Sequence, residues 1–187
     1  MLMFLGGLFL FFSIHGLAAL FRRGRGAVIA KIGEGPYKGV YSLIAIAGLT
    51  LIVLGWPRAD ASLLYAPPLF LRHATNLLML VSVILFVAAY APAGRIAAAV
   101  KHPMLAGVKM WAFAHLLANG EVRSVLLFGA FLIFAVVDRI AVKRRNAPVR
   151  AAGPVKNDVI VIIVGLAFYA AIVFYLHRYI AGVPIVF

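Results

Sequence analysis

Histidine is the residue type in this chain best suited to chemistry. His15, His73, His102, His115 and His177 are spread over 187 residues that contain no cysteine. Without cysteine there are no disulfides, no thiolate ligands and no covalent c-type haem attachment. Neutral imidazole remains as a ligand for a metal or a haem iron. The five acidic residues stand singly, so a paired-carboxylate site is not expected. His-Glu-x-x-His, phosphate-loop and dinucleotide patterns are absent, as is Gly-x-Ser-x-Gly.

The stretch from Lys101 to Gly120 is the most informative. At helical pitch Pro103, Gly107, Trp111, His115 and Asn119 follow steps of four and share one stripe. His102 and Lys109 fall on another. Polar groups on both stripes predict a helix surrounded by protein. Gly107 allows close approach of a second helix or of a flat ligand. Lys109, roughly 9 Å along the helix from Pro103 at 1.5 Å per residue, either snorkels to headgroups or meets an anionic group. His15 lies well inside the first apolar run, as a helix-bonded histidine or an axial ligand. Arg72, His73, Thr75 and Asn76 cluster where the third run starts. His177, Arg178 and Tyr179 read as an interfacial anchor. Asp138-Arg139 reads as a local ion pair or a topology signal.

These residues need helices in lipid to position them. The chain is 65% hydrophobic with a mean hydropathy of +1.08. Soluble domains are about 45–50% apolar, and a chain this short cannot bury such an excess. The expected fold is all-α: one polytopic membrane domain over residues 1–187 with about six spans, at 2–20, 40–56, 69–91, 103 to about 119, 122–140 and 158–180. The first run is read as a retained span, because its arginines follow it rather than precede it. Residues 21–39 and 92–102 are expected as loops. The net charge of +13 sits between the apolar runs, which favours contact with anionic membrane lipid over nucleic acid. Arg22, Arg23, Arg25, Lys31, Lys38, Arg95, Lys101, Arg139, Lys143, Arg144, Arg145, Arg150 and Lys156 all fall on one side. Arg58, Arg72, Arg123 and Arg178 fall on the other. The positive-inside rule then puts both termini outside the cytoplasm.

The segment His102–Gly120 resembles the NnrU family, bacterial membrane proteins associated with denitrification and nitric oxide handling. The resemblance extends to His15, to the stretch Gly33-Glu34-Gly35-x-Tyr37-Lys38-Gly39-x-Tyr41-Ser42, to Arg72-His73, and to Leu126–Arg139. It implies a bacterial inner-membrane protein. The family in turn is similar to plant zeta-carotene isomerase, which carries a b-type haem and isomerises a carotenoid double bond. That similarity implies haem b on His15 and His115, with His102 and Pro103 matching a His-Pro motif, and Lys109 or Arg72 near the propionates. Trp111 and Gly107 would line the cofactor. Helix rise alone sets His15 and His115 roughly 10 Å apart in depth. By depth His73 pairs with His115, and His15 with His102. Two functions stay open: a haem-dependent isomerase or redox protein acting on an isoprenoid-like substrate or on nitric oxide, and a non-enzymatic assembly, transport or signalling factor. A methyltransferase reading, suggested by His-Pro-x-x-x-Gly, lacks the acidic downstream motif that such enzymes carry.

Overall fold

The computed structural model describes residues 1–182 and Ile185. Its helices are α1 (Leu2–Leu20), α2 (Arg22–Ile32), α3 (Glu34–Gly55), α4 (Leu71–Tyr90), α5 (Arg95–Val100), α6 (Pro103–Ala118), α7 (Val122–Arg144), α8 (Val155–Ala171) and α9 (His177–Ala181). A 3-10 turn, Trp56–Arg58, closes α3, and a π-helical segment, Ile172–Leu176, joins α8 to α9. Among the described residues the one departure from helix and loop is an isolated bridge between Leu63 and Glu121.

Five helices are long and apolar enough to cross a membrane: Leu2–Leu20, Glu34–Arg58, Leu71–Tyr90, Val122–Arg144 and Val155–Ala181. Large side chains on them face outward, Leu43 at 69% and Ile133 at 67% exposure. Leaving such a residue in water forfeits about 1.5–3 kcal/mol, so lipid is the solvent that suits these faces. The fourth expected span is the exception. Helix α6 has 16 residues, about 24 Å of rise against a hydrocarbon core of about 30 Å. It starts with Pro103 in its first turn and stops before Asn119, as the sequence suggests.

The segments expected as loops are partly helical. Residues 22–32 form α2 despite Gly24 and Gly26, because single glycines cost only about 1 kcal/mol each in a helix. The break falls at Gly33, whose φ of +88° suits glycine alone. Helix α3 then starts six residues early, with an exposed Glu34–Lys38 pair at 2.8 Å across one turn.

The helices pack as a row in the order α3, α1, α7, α6, α4, α8. Small residues set the first contact. A methyl group on Gly7 would sit 2.6 Å from the Ile52 nitrogen, and one on Gly55 would sit 2.5 Å from the Phe4 nitrogen. Backbone-to-backbone approach of this kind is how helices associate in lipid. Side-chain hydroxyls bind α4 to α6: Ser82 donates to the Gly107 carbonyl at 2.9 Å and Thr75 to that of Ala114 at 3.2 Å. The Asp158 carboxylate on α8 is buried and accepts from the Arg95 and Ile96 amides at 2.8 and 3.0 Å, capping α5. Arg150 donates to the carbonyls of Ala88, Ala89 and Ala91 and so closes the end of α4.

Successive long helices alternate in direction, which brings Met1 and α9 to one end of the bundle. There the Met1 ammonium donates to the Arg58 carbonyl at 3.0 Å, and the hairpin between α6 and α7 is tied to the 59–65 loop through Val122, Arg123 and Leu64. This is the terminal end; the opposite end, carrying most lysines and arginines, is the basic end. His102 lies there, half-buried just ahead of α6. Burial first, then Arg139, Arg145 and Lys101, hold its pKa below the ordinary 6.5, while Asp138 pulls the other way.

A leucine at Gly55 should therefore lower unfolding stability by about 1–3 kcal/mol, the usual cost of overpacking. Leucine at Gly6, which has open space around it, should not. Thermal unfolding in detergent compares the two, and equal tolerance would contradict the α1–α3 contact. For His102, the unfolded chain takes up the proton more readily, so stability is full above about pH 6.5 and falls on acidification. The His102→Gln variant should lose less melting temperature between pH 8 and pH 5 than the parent chain.

Candidate functional site

Helices α1 and α6 do not pack on each other; each rests on α7. The gap between them at the basic end is a cavity of about 410 Å³. One wall is α1, with Phe11 and His15; the other is α6, with Met104, Leu105 and Val108; Phe131, Phe134 and Asp138 of α7 form the floor. Arg25, Tyr41 and Arg145 complete the rim.

His15 is oriented by its own helix. Its Nδ1 lies 2.7 Å from the Phe11 carbonyl, which can only accept, so Nδ1 carries the proton and Nε2 holds the free lone pair. The ring stacks on Phe11 at 4.1 Å and meets Tyr41 and Phe134 edge-on at 5.3 and 5.8 Å. One stacked and two edge-on aromatic neighbours thus fix the imidazole. A histidine locked in this tautomer is prepared to act as a ligand or base through Nε2. The charges at the rim are incompletely matched. Asp138 and Arg145 stand 3.9 Å apart, and the buried Asp138 Oδ1 and Arg25 Nε have no hydrogen-bond partner. Asp138 thus pairs with Arg145 rather than with its neighbour Arg139. The cavity therefore joins an apolar, aromatic interior to a charged mouth.

His115 is clamped in the same way, with Nδ1 donating to the Trp111 carbonyl at 2.8 Å. It lines a different cavity, of about 200 Å³ at the terminal end, together with Arg72 and Asn119. Between the two histidines stand rings of α6 and α7. His115 stacks on Phe128 at 4.3 Å; Trp111 meets Phe131 at 5.2 Å; Phe131 meets Phe11 at 5.5 Å. His15 touches α7 at Phe134 and His115 touches it at Phe128, six residues or about 9 Å of rise apart. One iron held by both imidazoles requires them face to face, and here the rings of Trp111 and Phe131 intervene.

The remaining candidates divide as follows. Gly107 faces α4, where a methyl group would sit 2.9 Å from the Phe86 ring, so its smallness serves helix packing. Trp111 faces α7. The stripe of four-residue steps turns by 40° per step, which carries it from α4 at Gly107 to α7 at Trp111. Helix α6 is accordingly packed on two sides, with Phe113 exposed at 47%. Lys109 is half-buried, with no hydrogen bond or ion pair among the described residues, and lies outside both cavities. Arg72 lines the terminal-end cavity while its neighbour His73 is exposed. His102 sits two residues before Met104, beside the basic-end cavity. His177 lines the terminal-end cavity.

Sequence reasoning did not single out Arg25, Tyr41, Met104, Phe131, Phe134 or Arg145. The one signal available was Asp138, the lone acid in its apolar helix, since an ionisable group in a span points to a cavity or a partner.

The sequence model of the NnrU protein family matches residues 3–185. The chain therefore belongs to the NnrU family. No curated protein and no solved structure matches it.

Proposed function

We propose that this NnrU-family chain is a membrane haem protein, and that the basic-end cavity would hold the cofactor, with His15 binding the iron. The single observation that carries the reading is His15 itself: tautomer fixed by the Phe11 carbonyl, ring wedged between Phe11, Phe134 and Tyr41, and side chain lining the cavity between α1 and α6.

The cavity's chemistry fits a b-type haem. Cofactor sites span about 300–1,000 Å³, a range that includes 410 Å³ and excludes the 200 Å³ cavity beside His115. The walls are apolar and aromatic, as a porphyrin requires. Arg25 and Arg145 at the mouth suit propionates, and the unpaired Arg25 Nε is a donor waiting for an acceptor. Met104, on the wall of α6, also lines the cavity and would be a second residue able to hold the iron, through its thioether. When bound, haem supplies one-electron chemistry and, at an exchangeable position, a site for a small gas or an alkene.

The protein's own residues would orient and exclude. Phe11 and Phe134 hold the imidazole plane, and Phe131 closes the cavity toward His115. Asp138, ion-paired with Arg145 at 3.9 Å, adds a negative charge beside the two arginines at the cavity mouth. The excess of basic residues at this end supports, by the positive-inside rule, a mouth at the cytoplasmic surface of a bacterial inner membrane, with both termini outside. The substrate is an apolar isoprenoid-like molecule entering from lipid, acted on by isomerisation or redox chemistry, or nitric oxide.

Haem content per protein chain, measured on purified variants, tests the site. His15→Ala should lose more than about nine-tenths of the haem, a tenfold change in retention equivalent to about 1.4 kcal/mol. Met104→Leu should keep haem and change the visible bands, and His115→Ala should keep both haem and spectrum. A His15→Ala protein with full haem and unaltered bands would rule the site out, and loss in His115→Ala would move the iron toward α6 with the aromatic rings displaced.

A further inference from the structure

The terminal-end cavity has a charge balance of its own. It lies between α4, α6 and the α8–α9 segment, with Arg72, His115 and His177 among its lining and no acidic residue. The walls are fixed by hydrogen bonds to backbone carbonyls. Tyr169 donates to Asn76 at 3.0 Å, Asn119 to His115 at 2.9 Å, and Thr75 to Ala114 at 3.2 Å. These bonds engage the Tyr169 and Thr75 hydroxyls and the Asn119 amide; the cation of the lining is Arg72. Its half-buried guanidinium has no hydrogen bond, ion pair or ring contact among the described residues.

All five acids of the chain are engaged elsewhere. Glu34 pairs with Lys38, Asp138 with Arg145, and Glu121 with Arg123 at 2.7 Å. Asp60 accepts from the Ser62 amide at 2.8 Å, and Asp158 caps α5. Among the described residues no carboxylate lines the cavity beside Arg72. A partly buried arginine without a counter-charge is costly, and its planar fork of donors matches an oxyanion. Arg72 lies in the first turn of α4, at the positive end of the helix dipole. At about 200 Å³ the cavity admits one small group and not a porphyrin.

We propose that this cavity is an anion site that takes a phosphate group on Arg72, presented either as free inorganic phosphate or as the headgroup of a phospholipid in the adjacent leaflet. The site is independent of the haem reading, since it shares no lining residue with the basic-end cavity.

Thermal unfolding of the full chain tests it in two arms. One arm titrates inorganic phosphate into protein in a neutral, phosphate-free sugar detergent. The other titrates phosphatidylglycerol into mixed micelles of the same detergent without inorganic phosphate. The expected result is a saturable rise in melting temperature in at least one arm. Arg72→Gln should weaken the half-saturation point by at least about tenfold, as befits loss of a charge-assisted bond. Arg178→Gln, which removes an exposed charge held over the Tyr179 ring at the same end, should respond like the parent chain. A response to inorganic phosphate identifies a soluble-anion site; a response in the lipid arm alone identifies a headgroup site. No saturable rise in either arm, or an Arg72→Gln protein that responds like the parent, would overturn the proposal.

Discussion

The aromatic rings of α7 hold the candidate site open. Phe131 and Phe134 project between α1 and α6, and Phe128 fills the space beside His115. Phe131 touches Phe11, Phe12 and Trp111 at 4.9–5.5 Å, so it braces both neighbouring helices at once. In lipid there is little hydrophobic force to draw α1 onto α6, and packing against a common partner decides their separation. The result is a gap at the basic end and a sealed aromatic partition above it. Two polar sites of different size follow from that partition rather than one continuous channel.

Both membrane histidines are held by the same device. Each donates from Nδ1 to the carbonyl four residues earlier, at 2.7 and 2.8 Å, and each packs face-on against a phenylalanine. The carbonyl is already part of the helix, so the clamp needs no second helix and survives wherever the chain is helical. It turns a flexible side chain into a base of known tautomer. The difference between the two lies in the surroundings: His15 faces a cavity large enough for a cofactor with Arg25 and Arg145 at its mouth, and His115 faces a small one with Arg72. Ligand size and charge, rather than the imidazole, separate the two roles.

Much of this was legible in the sequence. Apolar runs gave the long helices, Pro103 and Asn119 gave the limits of α6, and unlike numbers of basic residues gave the two ends. The depth mismatch of His15 and His115 was also visible, because helix rise is independent of tertiary contacts. Other features were hidden. A basic, glycine-containing stretch at 22–32 reads as loop until its neighbours are known, and α6 reads as a full span until its 16 residues are measured against a bilayer. The stripe from Pro103 to Asn119 looked like one face, yet its drift divides it between α4 and α7. Met104, Phe131 and Arg145 carry no motif; only the row order of the helices brings them to His15.

The central claim is that the gap between α1 and α6 holds a histidine-ligated haem. The most direct measurement is the visible spectrum of the detergent-purified chain, oxidised and then reduced with dithionite, after expression with ample haem. The account predicts a Soret band that shifts on reduction, with sharp alpha and beta bands from an iron ligated through His15. A spectrum flat through the visible in both states would contradict it and leave the His15 cavity as a site for lipid.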